Sequence, residues 1–110
     1  MSETIPRALT IINEHNYERL LRQTDQDWWF MISSPKHNQY ELNMMVELKA
    51  EHGLNVGVTD QTTEDGERIM ASFEAGVTPQ LFFVTSAPDG HRHCYQYPRR
   101  FSPRILEEYI

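Results

Sequence analysis

Few side chains in this 110-residue chain are equipped for chemistry, and the most informative is Cys94, its single cysteine. One thiol excludes an intrachain disulfide and any C-x-x-C dithiol, so two-step dithiol exchange is closed to the chain. Ser33-Ser34-Pro35-Lys36-His37 gathers hydroxyls, a proline and two nitrogen-bearing side chains. An alcohol does not ionise usefully at neutral pH and exchanges no sulfur. Two readings of Ser33 and Ser34 remain. They are hydroxyls that hold a thiolate or carboxylate at a positive helix end, or they are a helix cap, which Pro35 favours because it has no amide to leave unpaired. His91 and His93 stand two apart, on one face of a strand, but two ligands from one exposed strand make a weak metal pattern. No glycine-rich phosphate loop, nucleophile elbow, H-E-x-x-H or EF-hand pattern occurs, so no catalytic residue, metal or cofactor is expected.

Composition narrows the function classes further. The length fits one domain spanning residues 1–110, with residues 1–6 as a loose arm. Sixteen acids against ten bases give a net charge of −6 and a pI near 5.3, which argues against nucleic acid and anionic membrane surfaces. The longest apolar run is Trp28-Trp29-Phe30-Met31-Ile32, too short to span a bilayer. The polar start Met1-Ser2-Glu3-Thr4 lacks the basic and apolar regions of a signal peptide. The expectation is a soluble, cytoplasmic protein.

These side chains must be positioned by elements whose periodicity is readable. Ala8-Leu9-Thr10-Ile11-Ile12 reads as a strand, followed by Asn13 as a cap and Tyr17, Leu20 and Leu21 at helical spacing. The unbroken apolar run from Trp28 to Ile32 marks a strand covered on both faces and therefore central. Ser34-Pro35 opens a second helix bearing Leu42, Met45, Val46 and Leu48, which Gly53 stops. Leu54, Val56 and Val58 alternate as in a strand; Ile69, Met70 and Phe73 form the stripe of a third helix ending at Gly76. Pro79 to Val84 is a buried strand, Ala87-Pro88-Asp89-Gly90 a turn, and His91 to Tyr97 the returning strand of a hairpin. Ser102-Pro103 opens a last helix, Arg104 to Ile110. The order β-α-β-α-β-α-β-β-α predicts an α/β fold: a central mixed sheet of about five strands flanked on both faces by four helices. Alternation sets Cys94 on the opposite face of its strand from His91, His93, Tyr95 and Tyr97, and an unpaired cysteine is by default buried and inert.

That order, with an X-Pro step opening the fourth strand, resembles the thioredoxin fold from about Leu9 to Ile110. Val56-Gly57-Val58-Thr59-Asp60 is similar to the family's third strand ending in an acid. Phe73 through Thr78-Pro79-Gln80-Leu81-Phe82-Phe83 resembles the stretch holding its cis-proline. Tyr97-Pro98-Arg99-Arg100 with Ile105, Tyr109 and Ile110 resembles the last strand and helix of protein disulfide isomerase domains. The family's redox centre is a C-x-x-C at the start of the second helix, and two registers for its replacement stay open. In one, Ser33-Ser34-Pro35-Lys36 takes its place, with Asp27 and Trp29 at the family's buried acid and tryptophan. In the other, His37-Asn38-Gln39-Tyr40 does. With no thiol for Asp27 to serve, a solvated acid before a strand is its reading. Ile32-Ser33-Ser34-Pro35-Lys36 with Glu41, and the segment around Asp60, are also similar to the HyaE/HupG group of hydrogenase accessory proteins, thioredoxin-like chaperones that lack the cysteine pair.

The resemblance implies a groove made by Ser33, Ser34, Pro35, Lys36, His37, Val77, Thr78 and Pro79, where family members hydrogen-bond an extended peptide or glutathione beside a cis-proline. Lys36 and His37 flank it, as ligand-facing charges or as solvated side chains. The function expected is a redox-inactive protein-binding module: a chaperone, assembly factor or accessory subunit whose partner is a protein or peptide client. The acidic stretch Glu64, Asp65, Glu67 and Glu74 would attract a basic client, and the HyaE/HupG resemblance implies a twin-arginine signal peptide as that client. The alternative is a glutathione or small-thiol binding protein using Ser33 and the Thr78-Pro79 backbone.

Overall fold

The structure, a computed structural model, describes residues 5–23, 26–73, 79–97 and 103–108. Its centre is β2, Trp28–Ser33, in which all six residues are buried. Trp28, Phe30 and Ile32 point to one face, and Trp29 and Met31 to the other, so both faces of this strand must be roofed. Both of its edges must also be paired. The sheet order is β1-β3-β2-β4-β5, with β1 (Thr10–Ile11) and β3 (Val56–Asp60) parallel to β2, and β4 (Gln80–Ser86) and β5 (Arg92–Gln96) adding an antiparallel hairpin. The five-stranded mixed sheet is the one expected.

One face is roofed by α1 (Gln39–His52) and α3 (Pro103–Glu107), which bury Leu42, Met45, Leu48 and Leu106 against Trp29, Met31, Val56, Val58 and Leu81. The other carries α2 (Glu64–Ser72) and a short turn at Glu18–Arg22, which set Ile69 and Leu21 against Phe30, Ile32 and Phe82. Phe73 joins this second layer at 5.1 Å from Phe30 and 4.9 Å from Phe82. No helix among the described residues is long and apolar enough to cross a membrane.

Three expectations need correction. The first helix is a five-residue π-wound turn, because the Gln23 amide reaches back to the Glu18 carbonyl (2.9 Å). The described residues therefore hold three α-helices, not four. The second helix opens at Gln39 rather than at Ser34-Pro35: residues 34–38 form a separate turn in which the His37 and Asn38 amides both donate to the Ser34 carbonyl (2.9 Å each). The first strand contracts to Thr10–Ile11. Ile5 packs against the α1 side of the core. Gly53 stops α1 as read, in the left-handed conformation (φ 66°) with its amide on Lys49. Residues 1–4, Gly76, Ser102, Tyr109 and Ile110 lie outside the described residues.

The junction between β3 and α2 is tightly built. Asp60 Oδ1 accepts from the amide and hydroxyl of Thr62 (2.8 and 2.6 Å), and Thr63 caps α2 by accepting from the Gly66 amide (3.0 Å). Arg68 pairs with Glu14 and with Asp65 (3.4 Å), and the Glu14 hydrogen bond and charge raise the Arg68 guanidinium pKa further. A Cβ on Gly66 would sit 1.7 Å from the Asp60 carbonyl oxygen, a backbone atom with no room to yield, whereas a Cβ on Gly53 meets nothing within 4 Å. Gly66→Ala is therefore expected to lower unfolding free energy by about 2 kcal/mol or more, and Gly53→Ala by only about 1 kcal/mol from its positive φ. Urea denaturation of the two variants measures this, and equal losses would contradict the packing described.

Candidate functional site

Where β2 ends, three strands and a helical turn converge. Ser33 is register partner to Asp60 of β3, and Ile32 to Gln80 of β4, so one further step of the antiparallel ladder sets Pro79 across from Ser33. The Ser33 carbonyl accepts from the Gln61 amide (2.9 Å). From there the chain turns away into residues 34–38. Asn38 Oδ1 accepts from the buried Ser34 amide (2.8 Å), and Gln39 Nε2 donates to the Pro35 carbonyl (2.7 Å). Asn38 thus locks the turn from within rather than capping α1 with its side chain.

The expected groove residues divide by exposure. Ser33 (0% exposed), Ser34 (5%) and Pro35 form a buried floor; Lys36 and His37 stand exposed above it; Pro79 is half-buried on the β4 side. Val77 and Thr78, and with them the Thr78-Pro79 peptide bond, lie outside the described residues. Ser33 Oγ is buried with no hydrogen-bond partner, a costly state for a hydroxyl. Neither serine side chain caps α1. α1 begins at Gln39, inside the His37-Asn38-Gln39-Tyr40 segment, with His37 and Asn38 still in the preceding turn.

Two residues that the sequence names only within the second register, and not in the groove, belong here. Asn38 fixes the turn, and its signal was its place just before the helix. Tyr40, 67% exposed in the first turn of α1, adds an aromatic side chain three residues after His37. An aromatic residue in an otherwise polar first turn was the available sign. At the same end of the sheet, α2 begins with exposed Glu64 and Glu67, whereas Asp65 is engaged with Arg68 and the Glu14 amide (3.1 Å). Glu74 lies outside the described residues. Asp27 is exposed, as read, and accepts from the Thr85 hydroxyl (2.6 Å), while Trp29 packs edge-on to Phe83 at 4.5 Å.

Cys94 is far from this turn in the sheet. It lies on β5, across from Val84, and faces a cleft of about 640 Å³ between β4, β5, the end of α2 and the Glu18–Arg22 turn. The alternation holds, but the cysteine is exposed, not buried: the five-residue turn opposite is too short to roof β5. The protein packed around the thiol raises its pKa above the ordinary value, which keeps it protonated at neutral pH. His91 Nδ1 sits 3.0 Å from Asp89 Oδ2, a hydrogen bond that lowers the Asp89 pKa, and His93 stacks on Tyr95. Potential metal ligands come together instead at Glu51, His52 and Glu107, an exposed trio at the other end of α1.

No family model and no curated protein sequence matches the chain. Solved structures do. The Trx4 domain of ERdj5 superposes with a TM-score of 0.77 at 9% identity, over 94% of this chain and 93% of that one. The chain has the thioredoxin fold. The J-Trx1 fragment of ERdj5 (TM-score 0.74, 15% identity, 93% of this chain and 49% of that) and human ERp44 (0.72, 13%, 99% and 31%) agree. The chain thus spans about half of the former and a third of the latter. Within this thioredoxin-like fold, the turn before α1 carries no sulfur, and the chain's one thiol sits two strands away from β2, on β5.

Because the Cys94 pKa is raised, alkylation by iodoacetamide is expected to be slow at pH 7 and to climb about tenfold per pH unit without levelling off before about pH 9. A plateau reached below pH 8 would mean an activated thiolate and would contradict the environment described.

Proposed function

We propose that this thioredoxin-like domain is a redox-inactive, cytoplasmic protein-binding module, acting as a chaperone, assembly factor or accessory subunit. The observation that carries this reading is the rim of Lys36, His37 and exposed Tyr40 over a buried, sulfur-free floor beside Pro79. An amphipathic aromatic side chain together with two nitrogen-bearing ones suits the capture of an extended segment, the aromatic supplying contact area and the others hydrogen bonds. A client segment would lie next to Pro79 and across the turn of residues 34–38. The exposed Glu64 and Glu67 at the same sheet end favour a basic client; the twin-arginine signal peptide implied by the HyaE/HupG likeness is one.

Glutathione or another small thiol at Ser33 and the Pro79 backbone is the second reading. The unpartnered Ser33 Oγ favours it, and the complete burial of that hydroxyl weighs against it.

The deciding experiment is affinity capture from native lysate with wild type and Tyr40→Ala/Lys36→Glu, followed by reconstitution with the purified partner. A defined client whose affinity falls at least about tenfold in the variant supports the groove. Retention on immobilised glutathione, lost in Ser33→Ala, would replace this reading with the second. In an insulin-reduction assay, wild type and Cys94→Ala are expected to be equally inactive, and turnover that disappears in Cys94→Ala would overturn redox inactivity.

A further inference from the structure

We propose that β5 pairs antiparallel, edge to edge, with β5 of a second copy of this chain, joining two sheets into one. The sheet has two edges, and β1 exposes only a two-residue strand at its own. At the other edge β5 offers five residues with no proline, no lysine and no carboxylate; its one permanent charge, Arg92, is turned back onto Leu21 and Ser86 of its own chain. Four of the five are exposed and the fifth, Arg92, is partly covered by the Glu18–Arg22 turn on one face.

The ladder fixes which backbone groups are free. Tyr97 donates to Leu81 (2.7 Å) and His91 accepts from Ala87 (2.8 Å), so the odd-numbered residues from 91 to 97 bond to β4. The amides and carbonyls of Arg92, Cys94 and Gln96 therefore point away from the sheet. These three are symmetric about Cys94. A two-fold axis there sets Cys94 opposite Cys94 of the second copy, and Arg92 opposite Gln96, each pair exchanging two backbone hydrogen bonds.

Side chains are self-complementary in the same register. Arg92 is held by its own chain, Nε on the Leu21 carbonyl and Nη1 on Ser86 Oγ (3.0 Å each), with Nη2 buried. The residue facing it, Gln96, is exposed and uncharged, so no charge is set against the guanidinium. On the other face His93 lies opposite Tyr95, which is 55% exposed and already stacks on the histidine of its own strand at 6.1 Å. No like charges are opposed. A basic extended peptide, the class of client considered above, would instead meet Arg92 and His93, which is why a second copy is the better occupant.

Sedimentation equilibrium of the full chain from about 10 µM to about 1 mM tests this. Wild type is expected to rise from 13.0 kDa toward twice that mass. Gln96→Pro removes only an outward-facing amide, and Cys94→Asp sets two carboxylates against each other at an exposed position; both are expected to stay at the monomer mass while keeping the wild-type circular dichroism spectrum. A short bis-maleimide should join Cys94 to Cys94 at least about tenfold faster in wild type than in Gln96→Pro. A wild-type mass that stays at one chain up to about 1 mM, or a dimer that persists in folded Cys94→Asp, would overturn the proposal. If Gln96→Pro fails to fold, Cys94→Asp alone decides.

Discussion

Burial of β2 on both faces and both edges is the constraint from which the rest of the molecule follows. Its apolar side chains are each worth about 1.5–3 kcal/mol when removed from water, but only if two roofs and two neighbouring strands exist. The parallel neighbour β3 requires a crossover, and α1 is that crossover, so one roof is built by the connection itself. The antiparallel neighbour β4 needs only a partner on its far side, and the hairpin to β5 provides it. The candidate site is where this arrangement runs out. Ser33 inherits full burial as the last residue of β2, yet it is polar, and the chain has to leave the sheet immediately after it.

The two roofs are unequal, and that inequality shapes the surface. The α1 side has a 14-residue helix with α3 beside it. On the other side the described roof is nine residues of α2 and a five-residue π turn, with the Arg68 ion pairs tying α2 to the loop before that turn. Exposed pairs of this kind contribute little to stability and serve mainly to fix geometry. The short turn reaches Phe82 and Val84 through Leu21 but leaves β5 open, which produces both the cleft and an accessible Cys94.

What could be read from sequence was what depends on local pattern alone. The unbroken run at Trp28 identified the central strand, Ala87 to Gly90 the hairpin turn, and Gly53 the helix stop, because each is set by residues within a few positions. The helix start was misread for a physical reason. Ser34-Pro35 is a genuine start signal, but the buried Asn38 carboxamide takes the Ser34 amide and closes a separate turn first, a competition invisible without the fold. Likewise, alternation gave the face of Cys94 correctly but not its exposure, since exposure depends on the length of an element more than seventy residues earlier in the chain. Tyr40 was hidden by the same displacement: it becomes a rim residue only once α1 starts at Gln39.

A shared fold does not transmit an activity, so function has to be argued from the groups at the site. Here the two surfaces with a claim to function belong to different parts of the sheet. The turn of residues 34–38 lies at the end toward which β2 runs, and β5 runs parallel to β2 because both are antiparallel to β4. In an edge-paired dimer the second β5 runs the opposite way, so the two Tyr40 rims would face opposite ends of the joined sheet. One client segment could not span both. The clefts behave differently, since directly opposed residues fall on the same face: the two Cys94 clefts would merge into one trough across the axis. Edge pairing would thus leave each groove independent while creating a shared surface that neither copy has alone.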